Sequence, residues 1–102
     1  MITRMWRGWT SDENADAYEH FLLSDLFPAM RKIPGFRDAD VLRRDENGEV
    51  GFVTLTRFEA LDDIRAFAGE DYETPVLEPT ARALLSRYDQ RAHHYTTSRF
   101  EA

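Results

Sequence analysis

Two adjacent histidines near the end of the chain, His93 and His94, are the side chains best suited to acid–base chemistry. An imidazole titrates near neutral pH and can remove a proton from a phenol or an activated carbon. The residues around them predict a strand from Arg91 to Thr97, so the two rings leave on opposite faces and cannot bind one metal ion. His20 falls on a predicted helix without a carboxylate–histidine pattern. We therefore expect no metal site; the alternatives are one pocket histidine or histidines hydrogen-bonded for structure.

Tryptophans and arginines alternate in the predicted first strand, residues 2–9. Because side chains alternate across a strand, Trp6 shares a face with Arg4, and Trp9 shares one with Arg7. An aromatic wall can hold a flat substrate by stacking, and a nearby guanidinium can stabilise a developing oxyanion. The alternative is that the tryptophans belong to the core or to a contact between two copies of the chain.

Three further side chains are candidate contacts to a bound substrate. Phe52 and Thr54 share one face of the predicted third strand. Tyr72 follows the predicted second helix in an acidic stretch, where its hydroxyl could donate to a bound carbonyl; a solvated acidic loop is the alternative. No glycine-rich phosphate-binding pattern occurs, so no flavin or nicotinamide cofactor is expected.

The elements that position these residues begin with the strand over residues 2–9 and a helix after it. Thr10 and Glu13 have the spacing of a capping box, which predicts the start of this helix. Apolar residues then recur at helical spacing. Pro28 lacks the amide that would bond back to residue 24, so the helix should kink or restart there before it ends at Pro34-Gly35.

A hairpin follows, with predicted strands over Phe36–Arg44 and Val50–Phe58 and a turn at Asn47-Gly48. A second helix is predicted from Leu61 to Ala68, with Gly69 as its C-terminal cap. Pro79 begins a short third helix, predicted to carry Ala81, Leu84 and Leu85.

The resulting order, β-α-β-β-α-(α)-β, predicts an α+β fold of the ferredoxin-like kind. Its four strands would form an antiparallel sheet with both main helices on one face, and residues 1–102 would form a single domain. Large apolar residues fall on both faces of the first and third strands. Pairing two such sheets in a two-fold homodimer would cover this surface.

Composition excludes several classes of function. The net charge is −6 and the cationic residues are scattered, which disfavours binding to nucleic acid. The chain has no run of eighteen apolar residues, so no membrane span is expected. It has no cysteine and therefore no disulfide or thiolate ligand, and a cytoplasmic location is the default expectation.

Three stretches carry a resemblance to a known group, residues 4–10 (RMWRGWT), 68–73 (AGEDYE) and 93–95 (HHY). Together with the strand order, they resemble the antibiotic biosynthesis monooxygenase-like group of the dimeric α/β barrel superfamily, over residues 2–97. The resemblance implies a homodimer with a pocket in each half. It also favours His94 over His93 as the pocket histidine, because the His-Tyr ending is similar to the corresponding end of those sequences.

The superfamily includes cofactor-free oxygenases of aromatic polyketides, quinol oxygenases, haem-degrading enzymes and lactone isomerases. The haem-degrading members resemble one another in an asparagine, a tryptophan and a histidine around the haem. The only asparagines here, Asn14 and Asn47, are predicted at a helix start and a hairpin turn, so haem degradation is disfavoured. One hypothesis is a cofactor-independent monooxygenase of an aromatic or quinol-type molecule, with His94 as base and Arg4 or Arg7 as donor. The other is a non-catalytic dimer that binds a small hydrophobic molecule or assists a pathway enzyme. An oxygen-independent isomerase or lyase lies between the two.

Overall fold

The computed structural model describes residues 1–102 and shows an antiparallel sheet with the helices packed on one face. The chain-order elements are β1 (Ile2–Ser11), α1 (Ala15–Phe21), a π-helical segment (Leu22–Leu26), α2 (Phe27–Met30), β2 (Phe36–Glu46), β3 (Glu49–Phe58), α3 (Leu61–Ala68), α4 (Pro79–Leu84), β4 (Leu85–Tyr88) and β5 (His93–Thr96). The strand order is β2-β3-β1-β4, and β5 also pairs with β1. This arrangement confirms the ferredoxin-like α+β prediction.

The fourth position of the sheet is shared by two short strands, which differs from the prediction. β4 pairs with β1 around Gly8, and β5 pairs with its first half, from Ile2 to Met5. The prediction that Leu85 belongs to the third helix was wrong, because Leu85 begins β4. Its spacing from Ala81 fits a helix, but the free edge of β1 offers backbone partners that a longer helix could not use.

The first helix begins later than predicted. Thr10 is fully buried within β1, and its hydroxyl donates to the Ser11 carbonyl at 2.8 Å. The predicted capping box of Thr10 and Glu13 was therefore wrong, because Thr10 remains in the strand opposite Val50. The helix starts at Ala15 instead.

The predicted interruption at Pro28 is present as a π-helical turn just before it. In an α-helix the amide of residue 28 would bond to the carbonyl of Ser24, and proline has no such amide. The Phe27 N–H bonds to the Leu22 carbonyl, five residues back, and α-helical geometry resumes with α2. One extra residue is thus accommodated in this turn.

Two predicted turn positions are confirmed by their backbone angles. Asn47 and Gly48 have φ values of 49° and 89° and join β2 to β3 in a tight hairpin. Gly69 has a φ of 90° and ends α3, its N–H bonding to the Arg65 carbonyl at 2.8 Å.

The hydrophobic core lies between the sheet and the helices. Tyr18 of α1 packs edge-on against Phe52 of β3, with ring centres 4.9 Å apart. The buried cluster consists of Ala15, Tyr18, Phe21, Leu22, Phe27, Met30, Val50, Phe52, Phe58, Ile64 and Ala81. No helix is long and apolar enough to cross a bilayer.

The opposite face of the sheet, called the open face here, carries apolar side chains without a covering helix. Leu42 is 49% exposed and Tyr95 is 51% exposed. Val53 lies opposite Leu42 in the β2–β3 ladder, and Leu55 follows on the same face. The prediction of apolar residues on both faces of the sheet is confirmed.

Candidate functional site

The cavity with the most apolar lining, called the main cavity here, lies between the sheet and the helices of a single chain and is partly open. The resemblance predicted a homodimer with a pocket in each half, and the walls of this cavity come from one chain. Its walls are mostly apolar, and the space open to the centre of a water molecule is small, about 40 Å³. The lining residues are Arg4, Trp6, Tyr18, Phe21, Leu22, Leu26, Phe27, Met30, Thr54, Thr56, Phe67, Val76, Glu78 and Ala81.

Arg4 is the charged group at the sheet side of this cavity, and its residue is only 4% exposed. Its Nη1 donates to the Tyr72 carbonyl and to Nε2 of His94, and its Nη2 donates to the Thr74 carbonyl at 2.9 Å. Burial lowers the pKa of Arg4 to about 10, which still leaves it charged at neutral pH. Unlike most arginines of the chain, it makes no ion pair.

His94 lies behind Arg4, facing it across the β1–β5 ladder. Its Nε2 is 3.1 Å from Nη1 of Arg4, and since arginine can only donate, Nε2 must accept and the ring proton sits on Nδ1. Nδ1 is buried without a partner. Burial, and secondarily the charge of Arg4, lower the pKa of His94, so the ring is neutral at neutral pH.

Trp6 forms an aromatic wall of the cavity. Its Nε1 donates to the Asp89 carbonyl at 2.8 Å, and its ring lies 5.8 Å from that of Tyr88. Thr54 lies opposite Trp6 in the β1–β3 ladder and also lines the cavity. Asp89 sits in the break between β4 and β5, so this break holds the indole in place.

The segment of residues 69–78, called the rim loop here, closes one side of the cavity with Val76 and Glu78. The Ala92 N–H donates to the Glu73 carbonyl at 2.7 Å, and Nη2 of Arg91 lies 2.8 Å from the Glu73 carboxylate. Together with the two carbonyls bonded to Arg4, these contacts fasten the rim loop to the sheet.

The structure separates the predicted site residues into groups. Arg4, Trp6 and Thr54 line the cavity. His94 and Tyr72 form a layer behind Arg4, with their ring centres 5.1 Å apart and edge-on. The chemical roles of these residues stay predictions.

Three predicted site residues lie elsewhere. Arg7 points to the open face, where its Nε is 2.7 Å from an Asp89 carboxylate oxygen. Trp9 lies beside it, with the Arg87 guanidinium carbon 3.9 Å from its ring centre. Phe52 is 1% exposed and belongs to the core. His93 is exposed on the face opposite His94, as predicted for neighbours in a strand.

Several cavity residues were missed from the sequence, chiefly on the first helical run. Leu22 and Leu26, both from the π-helical segment, line the cavity. Their apolar spacing predicts that they are buried core residues, and it does not distinguish the wall of a cavity from a filled core. Pro28 was the available signal, because it forces the irregular turn, and π-helical turns are frequent at functional sites.

No known family profile matches the chain, and no curated protein matches it. Solved structures with the same fold do match over nearly its whole length. A candidate antibiotic biosynthesis monooxygenase of Nitrosomonas europaea has a TM-score of 0.69 at 11% identity, covering 94% of this chain and 88% of that one. SnoaB, a cofactor-independent oxygenase from Streptomyces nogalater, has a TM-score of 0.58 at 18% identity, covering 97% and 94%.

The ActVA-Orf6 monooxygenase of Streptomyces coelicolor, solved with the ligand nanaomycin D, has a TM-score of 0.61 at 11% identity, covering 99% of this chain and 90% of that one. At these identities the likeness establishes a shared fold. It agrees with the resemblance found in the sequence.

Proposed function

We propose that the chain is a cofactor-independent monooxygenase that oxidises an electron-rich aromatic or quinol-type molecule in the cavity between sheet and helices. The observation that carries this proposal is Arg4, a buried cation without an ion-pair partner in an apolar cavity beside Trp6. Such a cavity suits an aromatic ring that must carry negative charge during its reaction. The shared fold with SnoaB and ActVA-Orf6, both named as oxygenases, supports the choice of reaction.

For an anthrone, the reaction converts a ring CH₂ group and dioxygen into a carbonyl group and water. Loss of one proton gives a carbanion whose charge spreads through the aromatic rings onto the carbonyl oxygen on the opposite side of the central ring. This anion passes one electron to dioxygen, and the resulting radical and superoxide join to form a carbon–oxygen bond. The peroxide then takes up a proton and eliminates water, so one oxygen atom of O₂ enters the product and the other leaves as water.

In this proposal Arg4 holds the substrate oxygen and stabilises its negative charge. The attraction between a guanidinium and an anion is stronger in an apolar cavity than in water. Trp6 supports the ring, and Thr54 contributes a hydroxyl to the same wall. His94 is the candidate base and is neutral as that role requires, although its Nε2 is engaged by Arg4. We therefore add a second role for His94, which is to position Arg4.

Size limits what the cavity admits in the conformation seen here. About 40 Å³ accessible to water centres corresponds to roughly three times the minimum needed for one water molecule. A tricyclic substrate would require the rim loop to move outward at Val76 and Glu78. The narrow volume favours two alternatives that use no oxygen. In one the cavity binds a small hydrophobic molecule without changing it, and in the other it isomerises that molecule.

We also propose that two copies pair through their open faces to form a homodimer. Leu42, Val53, Leu55 and Tyr95 present apolar surface there without a covering helix. A second copy would bury this surface. The walls of the main cavity come from one chain, so each copy would keep its own site.

Dissolved-oxygen uptake by metal-free protein, offered a panel of anthrones and hydroquinones, tests the function. Uptake above the spontaneous rate with matching quinone formation is expected, reduced at least about tenfold in Arg4→Met. Arg37→Met is a matched control, because Arg37 is exposed and ion-paired with Glu59. If a ligand binds in the cavity and is released unchanged, the binding alternative replaces the oxygenase proposal. If it is rearranged equally well without oxygen, the isomerase alternative replaces it.

A further inference from the structure

The charge on Arg4 is not neutralised within the protein. Removing a cation from water costs several kcal/mol, and buried charges are normally paired with an opposite charge. The partners of Arg4 are two backbone carbonyls and a neutral imidazole, which satisfy three of its hydrogen bonds and supply no net charge. Its Nε–H and one Nη2–H have no acceptor in the protein.

The nearest acidic side chains do not supply the missing charge. Glu73 is bonded to Arg91, with a 2.8 Å contact between Nη2 and Oε1. Glu78 is exposed at the mouth of the cavity and makes no ion pair with Arg4. The remaining groups around Arg4 are the neutral His94, the Tyr72 ring behind it, and Phe67, whose ring centre is 5.6 Å from the guanidinium carbon.

We propose that the cavity binds its ligand as a singly charged aromatic oxyanion, with the anionic oxygen on the free donors of Arg4. The proposal rests on the proposed function for the location of the substrate and adds the charge state in which it is bound. The apolar walls take the ring, and Arg4 is the one cationic side chain among the lining residues. A neutral ligand of the same shape would leave the positive charge of Arg4 unpaired.

This arrangement has two measurable consequences. An ionised ligand should bind more tightly than a neutral ligand of equal size, because only the ionised ligand places an opposite charge against Arg4 in a dry site. The pKa of an ionisable ligand should also fall on binding, because the protein favours the anion. The second effect requires only the wild-type protein and is independent of any turnover.

The test uses para-nitrophenol and its neutral methyl ether, para-nitroanisole, which are small and share one ring. Absorbance titration of para-nitrophenol with saturating protein gives the pKa of the bound phenol, and quenching of tryptophan fluorescence gives both affinities. We expect a lowered pKa and a preference for the phenolate of about tenfold or more. Benzoate and methyl benzoate form a second pair, which shows whether carboxylates are accepted like phenolates.

Arg4→Met should abolish the preference and the pKa shift, whereas Arg37→Met should keep both. Arg4→Lys, which retains the charge, should keep part of the preference and serves if Arg4→Met does not fold. Equal affinity for the phenol and its ether, an unchanged pKa of the bound phenol, or no binding of para-nitrophenol would overturn the proposal. The oxygenase proposal fails separately, when no anthrone or hydroquinone drives oxygen uptake while the anion preference persists.

Discussion

Nη1 of Arg4 and Nε2 of His94 are joined by a 3.1 Å hydrogen bond across the β1–β5 ladder, which ties the charge in the cavity to an imidazole outside it. The bond fixes the tautomer of His94 and places its proton on the unpartnered Nδ1. Arg4 also holds the Tyr72 and Thr74 carbonyls. One guanidinium thus connects the cavity, the last strand and the rim loop.

The two roles proposed for His94 can be separated by substitution. His94→Gln keeps a hydrogen-bond acceptor for Arg4 but cannot take up a proton, whereas His94→Ala loses both functions. If His94 only positions Arg4, Gln should retain most of the oxygen uptake and of the para-nitrophenol affinity, and Ala should lower both about tenfold. If His94 is the base, the two variants should lose turnover equally and Gln should still bind the phenolate.

Stability should fall with decreasing pH because of His94. Its pKa is lowered below the ordinary value of 6.5, chiefly by burial, so the unfolded chain takes up a proton before the native chain does. The free energy of unfolding therefore falls as the pH drops through 6.5 and stops falling, as far as His94 is concerned, below its native pKa. Urea unfolding at pH 8 and pH 6 measures the change. The drop should be smaller in His94→Gln, and an equal drop would assign it to other groups.

Phe52 should contribute to stability and not to ligand contact. It is 1% exposed and packs edge-on against Tyr18, so Phe52→Ala should lower the free energy of unfolding by about 3–5 kcal/mol. Chemical denaturation measures this loss. Phe52→Leu, a milder control, should bind para-nitrophenol as the wild type does. A large loss of affinity in a stable Phe52→Leu protein would restore Phe52 to the substrate site.

Association through the open face should depend on Leu42. Placing a carboxylate at the centre of an apolar contact is costly, so Leu42→Asp should shift a dimer to the monomer at micromolar concentration. Light scattering measures the mass. Leu23→Asp is the matched control, because Leu23 is 54% exposed against 49% for Leu42 and lies on the helical side. A monomeric wild type, or equal dissociation by both variants, would contradict the proposed interface.

Local patterns predicted the hairpin at Asn47-Gly48 and the helix from Leu61 to Ala68, because turn chemistry and apolar spacing act within a few residues. β4 was missed because Leu85 and Tyr88 also fit a helix, and only pairing with β1 decides between the two. The burial of Arg4 was equally beyond local pattern. An arginine in a strand is ordinarily solvated, and its partners here are backbone carbonyls about seventy positions away, which carry no signal in side-chain types.

Because of the π-helical segment, the side chains that line the cavity depend on the number of residues in this turn. Each residue of an α-helix turns the chain by about 100°, so the extra residue held in Leu22–Leu26 sets the direction in which Phe27 and Met30 point. Both side chains line the cavity. A related chain one residue shorter at this point would close the turn into regular α-helix and aim different side chains at the ligand. Specificity in this fold can therefore change by insertion or deletion in a helix, without any substitution among the residues that touch the ligand.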